Sequence, residues 1–283
     1  MKHICVTGAN GYIARHVIPL LQQTRQWHIT AIDLTDKGVF PPEIPFYACN
    51  ILNPAQTNQL YTKIDRQDVC LHLAWQDGFT HNALSHIDNL PAHFHFLQSL
   101  VEHGCKQLMV AGSFREYGPC NGRVSEDHPL IADNYYSWAK ISLKHLLELY
   151  LKDKPVTLQW LRFFTPYGDD KHNNSILSKI IRWEAEGKTS FPFTEGTEQY
   201  DYIHVDELAR QICAVAAQTD ISGAINCCSG KPSYLKDKVE ELIRSRGFTI
   251  RPSYGVFKAR EYDSPVIYGD DTKIRQILKK YKK

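Results

Sequence analysis

Short apolar runs rich in β-branched residues alternate with amphipathic stretches through the first half of the chain. A short apolar run bounded by turn residues is typical of a buried strand, and apolar positions three and four apart are typical of a helix. The pattern predicts strands at 4–6, 28–32, 44–48, 69–74, 107–111 and 156–163. It predicts helices after residue 11, after residue 53, over 89–103 and from residue 134 through 150. This alternation indicates a doubly wound α/β fold, a parallel sheet with helices on both faces.

The alternation becomes irregular after residue 163. The predicted elements there are a helix at 173–187, a strand at 200–205, a helix through 216, a strand at 222–228, and then short helices and loops. We expect the helix through 216 to return to the main sheet. The sequence therefore predicts a first domain over 1–165, with a return segment near 200–220, and a smaller α/β domain that occupies most of 166–283.

A glycine-rich turn joins the first strand to the first helix. Gly8 and Gly11 allow a tight turn in which a pyrophosphate can approach the backbone and bind the N–H groups at the helix N-terminus. The small Ala14 lets that helix pack closely against the strand. The second strand ends at Asp33, where a carboxylate would meet a ribose hydroxyl. The pattern predicts dinucleotide binding; a purely structural turn built from the same residues is the alternative.

Two further strand ends point to the same edge of the sheet. Asn50 follows the third strand and could hydrogen-bond an adenine, although an ordinary turn asparagine would look the same in sequence. Ala74 ends the fourth strand, where a small residue would let the backbone approach a cofactor. Residues that follow parallel strands at this edge commonly contact ligands.

A serine, a tyrosine and a lysine could supply acid–base chemistry. Ser113 follows the fifth strand and could donate a hydrogen bond to a substrate oxygen, or could simply cap a turn. Tyr136 and Lys140 are four residues apart and share one face of the next helix. A neighbouring ammonium should lower the pKa of the tyrosine from its ordinary value of about 10 and make it a usable acid or base. The alternative is a solvated helix face.

Composition excludes several classes of function. The 283 residues include 33 Lys and Arg against 31 Asp and Glu, and the net charge of +2 indicates neither nucleic acid nor an anionic membrane as partner. No apolar run approaches the roughly 20 residues of a membrane span, and Met1 leads almost directly into a strand, so we expect no signal peptide. The eight cysteines contain no C-x-x-C pair and indicate buried thiols in a reducing cytoplasm. We expect no metal site and interpret His81, His86, His93 and His95 as solvated helix and loop residues.

The chain resembles an extended short-chain dehydrogenase/reductase of the nucleotide-sugar epimerase/dehydratase/reductase branch. The matching positions occur in the family's order over nearly the whole chain, and together they are specific for the superfamily but not for one substrate. They are Thr7 to Ala14, Asp33, His72 to Ala74, Ser113, Tyr117-Gly118, Tyr136, Lys140, Leu161 to Thr165, Tyr167-Gly168, Asp201 to Asp206, Asn226, Ser229-Gly230 and Arg260 to Pro265. The resemblance implies a Rossmann-type NAD(P)-binding domain over the first part and a substrate-binding domain over the second.

The resemblance also implies roles for the matched positions. Ser113, Tyr136 and Lys140 would be the catalytic residues. The cofactor would contact Gly8, Gly11, Tyr12, Ile13, Asp33, Asn50, Ile51, Leu73, Ala74, Tyr136, Lys140 and Phe163, with Phe163 against the nicotinamide. The substrate, a nucleotide-diphosphate sugar, would contact Ser113, Thr165 and Arg260. The guanidinium of Arg260 would suit a diphosphate because its paired donors match phosphate oxygens.

Three positions depart from the family pattern. Tyr200 stands where the family usually has an arginine on the substrate phosphates, and Thr165 replaces an asparagine that contacts the sugar nucleotide. Dehydratases of this branch carry an Asp-Glu pair directly after the catalytic Ser or Thr, whereas this chain has Phe114 and Arg115. Without that acid–base pair a sugar dehydration has no evident catalyst, and we set this reaction aside.

Three functions then remain. We expect an NAD(P)-dependent reductase of a 4-keto or 4-keto-6-deoxy nucleotide sugar, with an NAD-dependent nucleotide-sugar 4-epimerase as the alternative. A non-catalytic NAD-binding sensor on the same fold is the second alternative, although it would have no need of all three catalytic residues. Asp33 favours NAD(H) over NADP(H) as cofactor because its carboxylate would repel a 2′-phosphate.

The resemblance also implies a homodimer. Helices 89–103 and 136–150 resemble those that form a four-helix bundle in dimers of the family. We expect this bundle to be filled by apolar residues, among them Phe94, Leu97, Leu143 and Leu147; the alternative is that they face the protein's own core.

Overall fold

The structure is a computed structural model that describes residues 1–168, 175–258 and 263–281. Its strands are β1 Lys2–Thr7, β2 Trp27–Asp33, β3 Phe46–Ala48, β4 Val69–His72, β5 Gln107–Ser113, β6 Asn121–Val124, β7 Thr157–Phe163, β8 Thr165–Tyr167, β9 Ser190–Pro192, β10 Gln199–His204, β11 Gly223–Cys227, β12 Pro232–Tyr234, β13 Arg251–Ser253 and β14 Val266–Gly269. Its helices are α1 Tyr12–Gln23, α2 Pro54–Tyr61, α3 Ser85–Asp88, α4 Leu90–Glu102, α5 Tyr135–Leu151, α6 Ile176–Ala185, α7 Val205–Ala216, α8 Leu235–Arg246 and α9 Thr272–Tyr281, and a 3₁₀ turn covers Phe114–Tyr117.

The main sheet has its strands in the order β11-β7-β5-β4-β1-β2-β3, and all neighbouring strands are parallel. The chain runs outward from β1 to β3 and then returns to place β4 on the other side of β1. This reversal of strand order opens a crevice at the carboxyl ends of β1 and β4, which is where doubly wound sheets bind their ligands. The predicted Rossmann-type α/β fold is confirmed.

Alternate residues of the central strand enter two different cores. Ile4 and Val6 pack with Val17, Leu208 and Ile274, in the layer that contains α1, α7 and α9. Cys5 points the other way, into a core with Leu60, Leu97 and Leu143 from α2, α4 and α5. The strand period of two therefore buries both faces of β1, as its continuous apolar run predicts.

A second sheet lies beyond the carboxyl edge of the first. Its strand order is β12-β10-β14-β6, with β8 beside β10, and β9 pairs with β13 nearby. Helices α6 and α8 pack on a core of Leu177, Ile180, Phe191, Val239 and Ile243. The two sheets exchange segments: β6 lies in the second sheet, while β11 extends the first and α9 packs against α7. The division at residue 165 stays a prediction.

The strands and helices predicted up to residue 228 match the observed ones to within a few residues, although residues 173 and 174 of the predicted helix 173–187 lie outside the described residues. The prediction of only short helices and loops after that point is wrong, because β12, β13 and β14 lie there and pair with strands from earlier in the chain. The predicted dimer face is wrong as well. Leu97, Leu143 and Leu147 are fully buried in the chain's own core, so the prediction that they fill a dimer interface is wrong. The exposed apolar residues of α5 lie on its opposite side, and they are Tyr135, Trp138, Leu146 and Leu149. Among the described residues, no helix combines the length and apolarity needed to cross a bilayer.

Candidate active site

The glycine turn brings the end of β1 against the end of β4. Gly8 has a φ of +69°, and a Cβ on it would lie 2.9 Å from the Cα of Ala74. The N–H of Gly11 donates to the carbonyl of Gly8 at 2.8 Å, and α1 begins at the next residue. Only glycine combines this positive φ with so close an approach of backbone to backbone. The two glycines therefore leave the backbone open at the start of α1, as a bound pyrophosphate requires.

Asp33 lies beside this turn at the end of β2. Its carboxylate accepts hydrogen bonds from the backbone N–H of Asn10 at 2.8 Å and of Leu34 at 2.7 Å. The side-chain oxygen Oδ1 of Asn10 is buried and accepts no hydrogen bond within the described residues. An open glycine turn, a fixed carboxylate and a buried acceptor fit the adenosine diphosphate end of NAD, whose ribose hydroxyls are donors.

The remaining predicted cofactor residues lie around the same crevice. The Tyr12 hydroxyl lies against Gly168: a Cβ added to Gly168 would be only 2.7 Å from it. This contact joins α1 to the end of β8. Ile13 and Leu73 are partly buried against the main core, and the N–H of Ala74 donates to the hydroxyl oxygen of Thr7 at 3.3 Å.

Asn50 forms a turn of its own. Its Oδ1 accepts from the N–H of Leu52 at 3.0 Å, and its own N–H donates to Gln56 at 2.7 Å, while Ile51 is buried. The carbonyl of the Asn50 side chain is thus used within the turn, which is the alternative considered from sequence. Only its amide N–H groups remain as candidates for contact with an adenine.

Ser113, Tyr136 and Lys140 meet at the carboxyl end of β5. The Ser113 side chain lies near enough to the Tyr136 phenol to lower its pKa, and its hydroxyl oxygen accepts from the N–H of Arg115 at 3.2 Å. Lys140 is almost fully buried one helical turn after Tyr136, and its ammonium donates to the carbonyl of Ala111 at 2.7 Å. The structure therefore brings together the three residues that the sequence singled out, and Ser113 also caps the 3₁₀ turn.

The acidity of Tyr136 differs from the sequence-based prediction. Burial raises the pKa of Tyr136 to about 12, while the nearby Ser113 hydroxyl and the charge of Arg115 act in the opposite direction. Burial also lowers the pKa of Lys140 to about 7, against the favourable charge of Glu116. The predicted lowering of the tyrosine pKa by Lys140 is wrong for this structure because the ammonium is directed at the Ala111 carbonyl. Tyr136 is consequently a neutral phenol near pH 7, suited to donating a proton.

The predicted substrate side of the site is partly described. Phe163 lies directly beside Ser113 in the register of β5 and β7, and Thr165 lies opposite Tyr202 at the start of β8. Tyr200 is buried among aromatic rings, and the Arg115 guanidinium lies 6.0 Å from its ring centre. Arg260 is outside the described residues.

A buried ion pair supports Ser113 from behind, and sequence reasoning missed it. The Glu116 carboxylate accepts from the N–H of Ser113 at 2.8 Å, from the indole of Trp160 at 2.9 Å and from Arg162 at 2.8 Å. Both charged side chains are at most 1 % exposed. Arg162 also donates to the hydroxyl of Tyr117 at 3.0 Å. Nothing in the sequence marks this pair, since the partners are 46 residues apart.

The histidine interpretation is wrong for two of its four residues. His86 and His93 are at most 2 % exposed, and each is hydrogen-bonded inside the protein. Burial lowers the pKa of His93 to about 3, and it also lowers the pKa of His86. These imidazoles are neutral structural groups beside Lys140. Within the described part of the chain, no cluster of three or more His, Cys, Asp or Glu side chains could hold a metal.

Comparison with known proteins matches this geometry to a family. The model of the NAD dependent epimerase/dehydratase family matches residues 4–228, from the central strand to the end of β11. The chain belongs to the NAD-dependent epimerase/dehydratase family. It is therefore an NAD-dependent enzyme of the extended short-chain dehydrogenase/reductase type, and the resemblance drawn from the motifs is confirmed, as is NAD as the cofactor of the family.

Relatives within the family differ in length and activity. The chain is 36% identical to a dTDP-6-deoxy-L-talose 4-dehydrogenase (NAD(+)) from Aggregatibacter actinomycetemcomitans, over 94% of this chain and 99% of the relative. It is 24% identical to a dTDP-4-dehydro-6-deoxyglucose reductase from Escherichia coli, over 84% of this chain and 80% of the relative.

Solved structures of the family share the fold. UDP-glucose 4-epimerase from Thermotoga maritima, solved with UDP-glucose, superposes with a TM-score of 0.85 at 19% identity, covering 97% of this chain and 92% of that one. UDP-glucuronic acid 4-epimerase from Bacillus cereus, solved with UDP-glucuronic acid and NAD, gives 0.81 at 22% identity, covering 99% and 93%.

Proposed function

We propose that this enzyme exchanges a hydride with C4 of a 6-deoxyhexose attached to a nucleoside diphosphate. In one direction this is the reduction of a 4-keto sugar, and in the other it is the 4-dehydrogenation of the alcohol. The convergence of Ser113, Tyr136 and the buried Lys140 at the carboxyl end of β5 carries the proposal. It is supported by the similarity over nearly the full length of both chains to a dTDP-6-deoxy-L-talose 4-dehydrogenase.

The chemistry divides between cofactor and protein. Bound NADH supplies the hydride to C4 of the sugar, and NAD⁺ accepts it in the reverse direction. In the reductive direction Tyr136 transfers its phenolic proton to O4, and the resulting phenolate regains a proton from solvent. Ser113 holds O4 by a hydrogen bond, and Lys140 orients the cofactor ribose. The raised pKa of Tyr136 supports its role as proton donor because the phenol keeps its proton until O4 accepts it.

The other predicted contacts are part of the proposal. Gly8, Gly11 and Asp33 would hold the adenosine diphosphate half of NAD, and Phe163 would lie against the nicotinamide. Additional cofactor contacts would come from Tyr12, Ile13, Asn50, Ile51, Leu73 and Ala74. Thr165 and Arg260 would contact the nucleotide sugar, where a guanidinium provides paired donors for a diphosphate.

A 4-epimerase is the second candidate. It is favoured by relatives such as UDP-arabinose 4-epimerase 1 from Arabidopsis thaliana, which is 23% identical to this chain. However, the alignment covers only 75% of that epimerase, whereas it covers 99% of the 4-dehydrogenase. The closer match in length and identity supports the dehydrogenase/reductase reaction.

Cofactor stoichiometry separates the two reactions. The purified enzyme would be incubated with a 4-keto-6-deoxy nucleotide sugar and NADH carrying deuterium on the transferred position, and products would be analysed by mass spectrometry and NMR. We expect one NADH to be consumed for each sugar reduced, with deuterium at C4. Interconversion of C4 epimers without net NADH consumption would instead establish an epimerase. Tight NAD binding without turnover of any nucleotide sugar would establish a sensor.

The assembly and location of the enzyme are also proposals. A homodimer would cover the exposed apolar face of α5, where Trp138 is 44% exposed and Leu149 is 74% exposed, and this face replaces the one expected from sequence. The eight free cysteines support a reducing compartment, the cytoplasm.

A further inference from the structure

The indole of Trp75 lies against the buried ammonium of Lys140. The Lys140 Nζ is 3.6 Å from the centre of the indole ring, and it also donates to the carbonyl of Ala111 at 2.7 Å. Lys140 is only 2 % exposed, so these groups replace much of the water that would otherwise solvate its charge. A cation over the face of an indole is attracted by the ring quadrupole, and most strongly where water is excluded.

Trp75 is itself held in one orientation. Its indole N–H donates to Nδ1 of His86 at 3.1 Å, so the Nε2–H of His86 donates to the carbonyl of Thr80 at 3.1 Å. The indole also stacks on the imidazole of His93, with ring centres 4.4 Å apart and planes 14° from parallel. The hydrogen bond fixes the direction of the indole N–H, and the stacking fixes the plane of the ring. Together they hold the indole in one orientation.

A chain of hydrogen bonds ties His93 to the cofactor turn. The Thr7 hydroxyl accepts from the N–H of Ala74 and also hydrogen-bonds Nδ1 of His72 at 2.9 Å. Nε2 of His72 in turn hydrogen-bonds Nδ1 of His93 at 3.0 Å. Thr7 directly precedes Gly8, so the strand ends that form the cofactor turn also orient the ring on which Trp75 stacks.

We propose that Trp75 is a positioning residue that holds the charged form of Lys140 in place through the face of its indole ring. The importance of Lys140 for turnover rests on the proposed function, but the contact itself can be tested without any substrate. The predicted consequence is that a weaker ring face makes the ammonium easier to deprotonate.

The other charged and titratable groups around Lys140 come from several elements. Glu116 on the 3₁₀ turn favours the ammonium, while His72 from β4, His86 from α3 and His93 from α4 disfavour it only when protonated. Burial lowers the pKa of all three imidazoles, which therefore remain neutral near pH 7. Tyr136 from the same helix is a neutral phenol there. Near neutral pH, Trp75, Glu116 and the Ala111 carbonyl are thus the groups that support the charge.

The experiment measures the titration of Lys140 directly. Protein labelled with ¹³C at the lysine Cε would be titrated by NMR, and the Lys140 signal would be assigned by its loss in Lys140→Arg. Trp75→Leu removes the ring, and Trp75→Phe leaves a smaller ring with a weaker face. Fluorinated tryptophan, incorporated in the unsubstituted chain and in Trp75→Phe, weakens the ring face without changing its shape. Trp183→Leu is the matched control because the Trp183 indole lies 4.0 Å from another lysine, Lys188.

We expect the Lys140 pKa to fall by about one unit in Trp75→Leu and by less in Trp75→Phe. Fluorination should lower it in the unsubstituted chain but not in Trp75→Phe, and Trp183→Leu should leave it unchanged. If Trp75→Leu does not fold, the phenylalanine and fluorotryptophan comparisons decide the question. An unchanged Lys140 pKa across the Trp75 and fluorotryptophan series would overturn the proposal. A shifted pKa in a protein with no sugar activity would refute only the proposed function.

Discussion

Removing the charge of Glu116 should destabilise the enzyme strongly. In Glu116→Gln the side chain keeps its shape, but a single amide oxygen cannot accept from Ser113, Trp160 and Arg162 at once. The amide NH₂ must then face one of these donors, and the Arg162 guanidinium, 1 % exposed, loses its only carboxylate partner among the described residues. Breaking a buried ion pair by altering one partner costs about 3–5 kcal/mol. This is a large part of the roughly 5–15 kcal/mol by which domains are stable.

The assay is urea unfolding followed by both tryptophan fluorescence and circular dichroism, because coincident curves are needed to extract a free energy of unfolding. With a slope of about 3 kcal/mol per molar urea, the midpoint should fall by about 1 M or more. Glu241→Gln is the matched control: Glu241 pairs with Lys238 at 3.0 Å but is 59% exposed, so its midpoint should hardly move.

An apolar replacement provides a second comparison. The double variant Glu116→Leu/Arg162→Met leaves no unpaired charge and should regain part of the stability that Glu116→Gln loses. The urea midpoint of each variant would be compared with that of the unsubstituted enzyme. If Glu116→Gln shifts the midpoint no more than Glu241→Gln does, this reasoning is refuted.

Three other predictions concern the cofactor, pH and assembly. Calorimetry should show tighter binding of NAD(H) than of NADP(H), with the difference reduced in Asp33→Ser; equal affinities in the unsubstituted enzyme would contradict the role of Asp33. Between about pH 7 and pH 10.5 an unfolded lysine keeps a proton that buried Lys140 has released. The free energy of unfolding of the enzyme, relative to that of Lys140→Met, should therefore rise with pH by up to about 1.4 kcal/mol per pH unit. A difference between the two proteins that does not change with pH would contradict the burial argument. Light scattering at micromolar concentration should give a dimer, and Leu149→Glu should give a monomer; a monomeric unsubstituted enzyme would rule out the proposed interface.

The fold could be predicted largely from local patterns. The apolar run at Ile4 to Val6, the turn at Gly8 and Gly11, and the acidic end of β2 at Asp33 each depend on neighbouring residues. Strand alternation then determines the sheet. The meeting of Ser113 with Tyr136 follows from the same rule, since residues that end central strands and begin the following helices converge at one edge.

What could not be predicted depends on contacts between distant residues. His93 looks like a surface histidine until His72 and Trp75, from another strand end, provide its partners. Leu143 and Leu147 are four residues apart and therefore lie on one apolar face of α5. This spacing does not say whether a neighbouring chain or the chain's own core covers that face. Burial, rather than the neighbour at four residues, decides the pKa of Tyr136, and burial is a tertiary property.

The most direct test of the central claim compares two adjacent tyrosines in a single turnover. NADH absorbance would be followed after mixing enzyme and NADH with an excess of a 4-keto-6-deoxy nucleotide sugar. Tyr136→Phe removes only the proton donor, so the hydride-transfer rate should fall by about 100- to 10,000-fold while NADH affinity is retained. Tyr135→Phe, at a position that is 41% exposed and points about 100° away around the helix, should react at close to the rate of the unsubstituted enzyme. A near-normal rate in Tyr136→Phe would contradict the account.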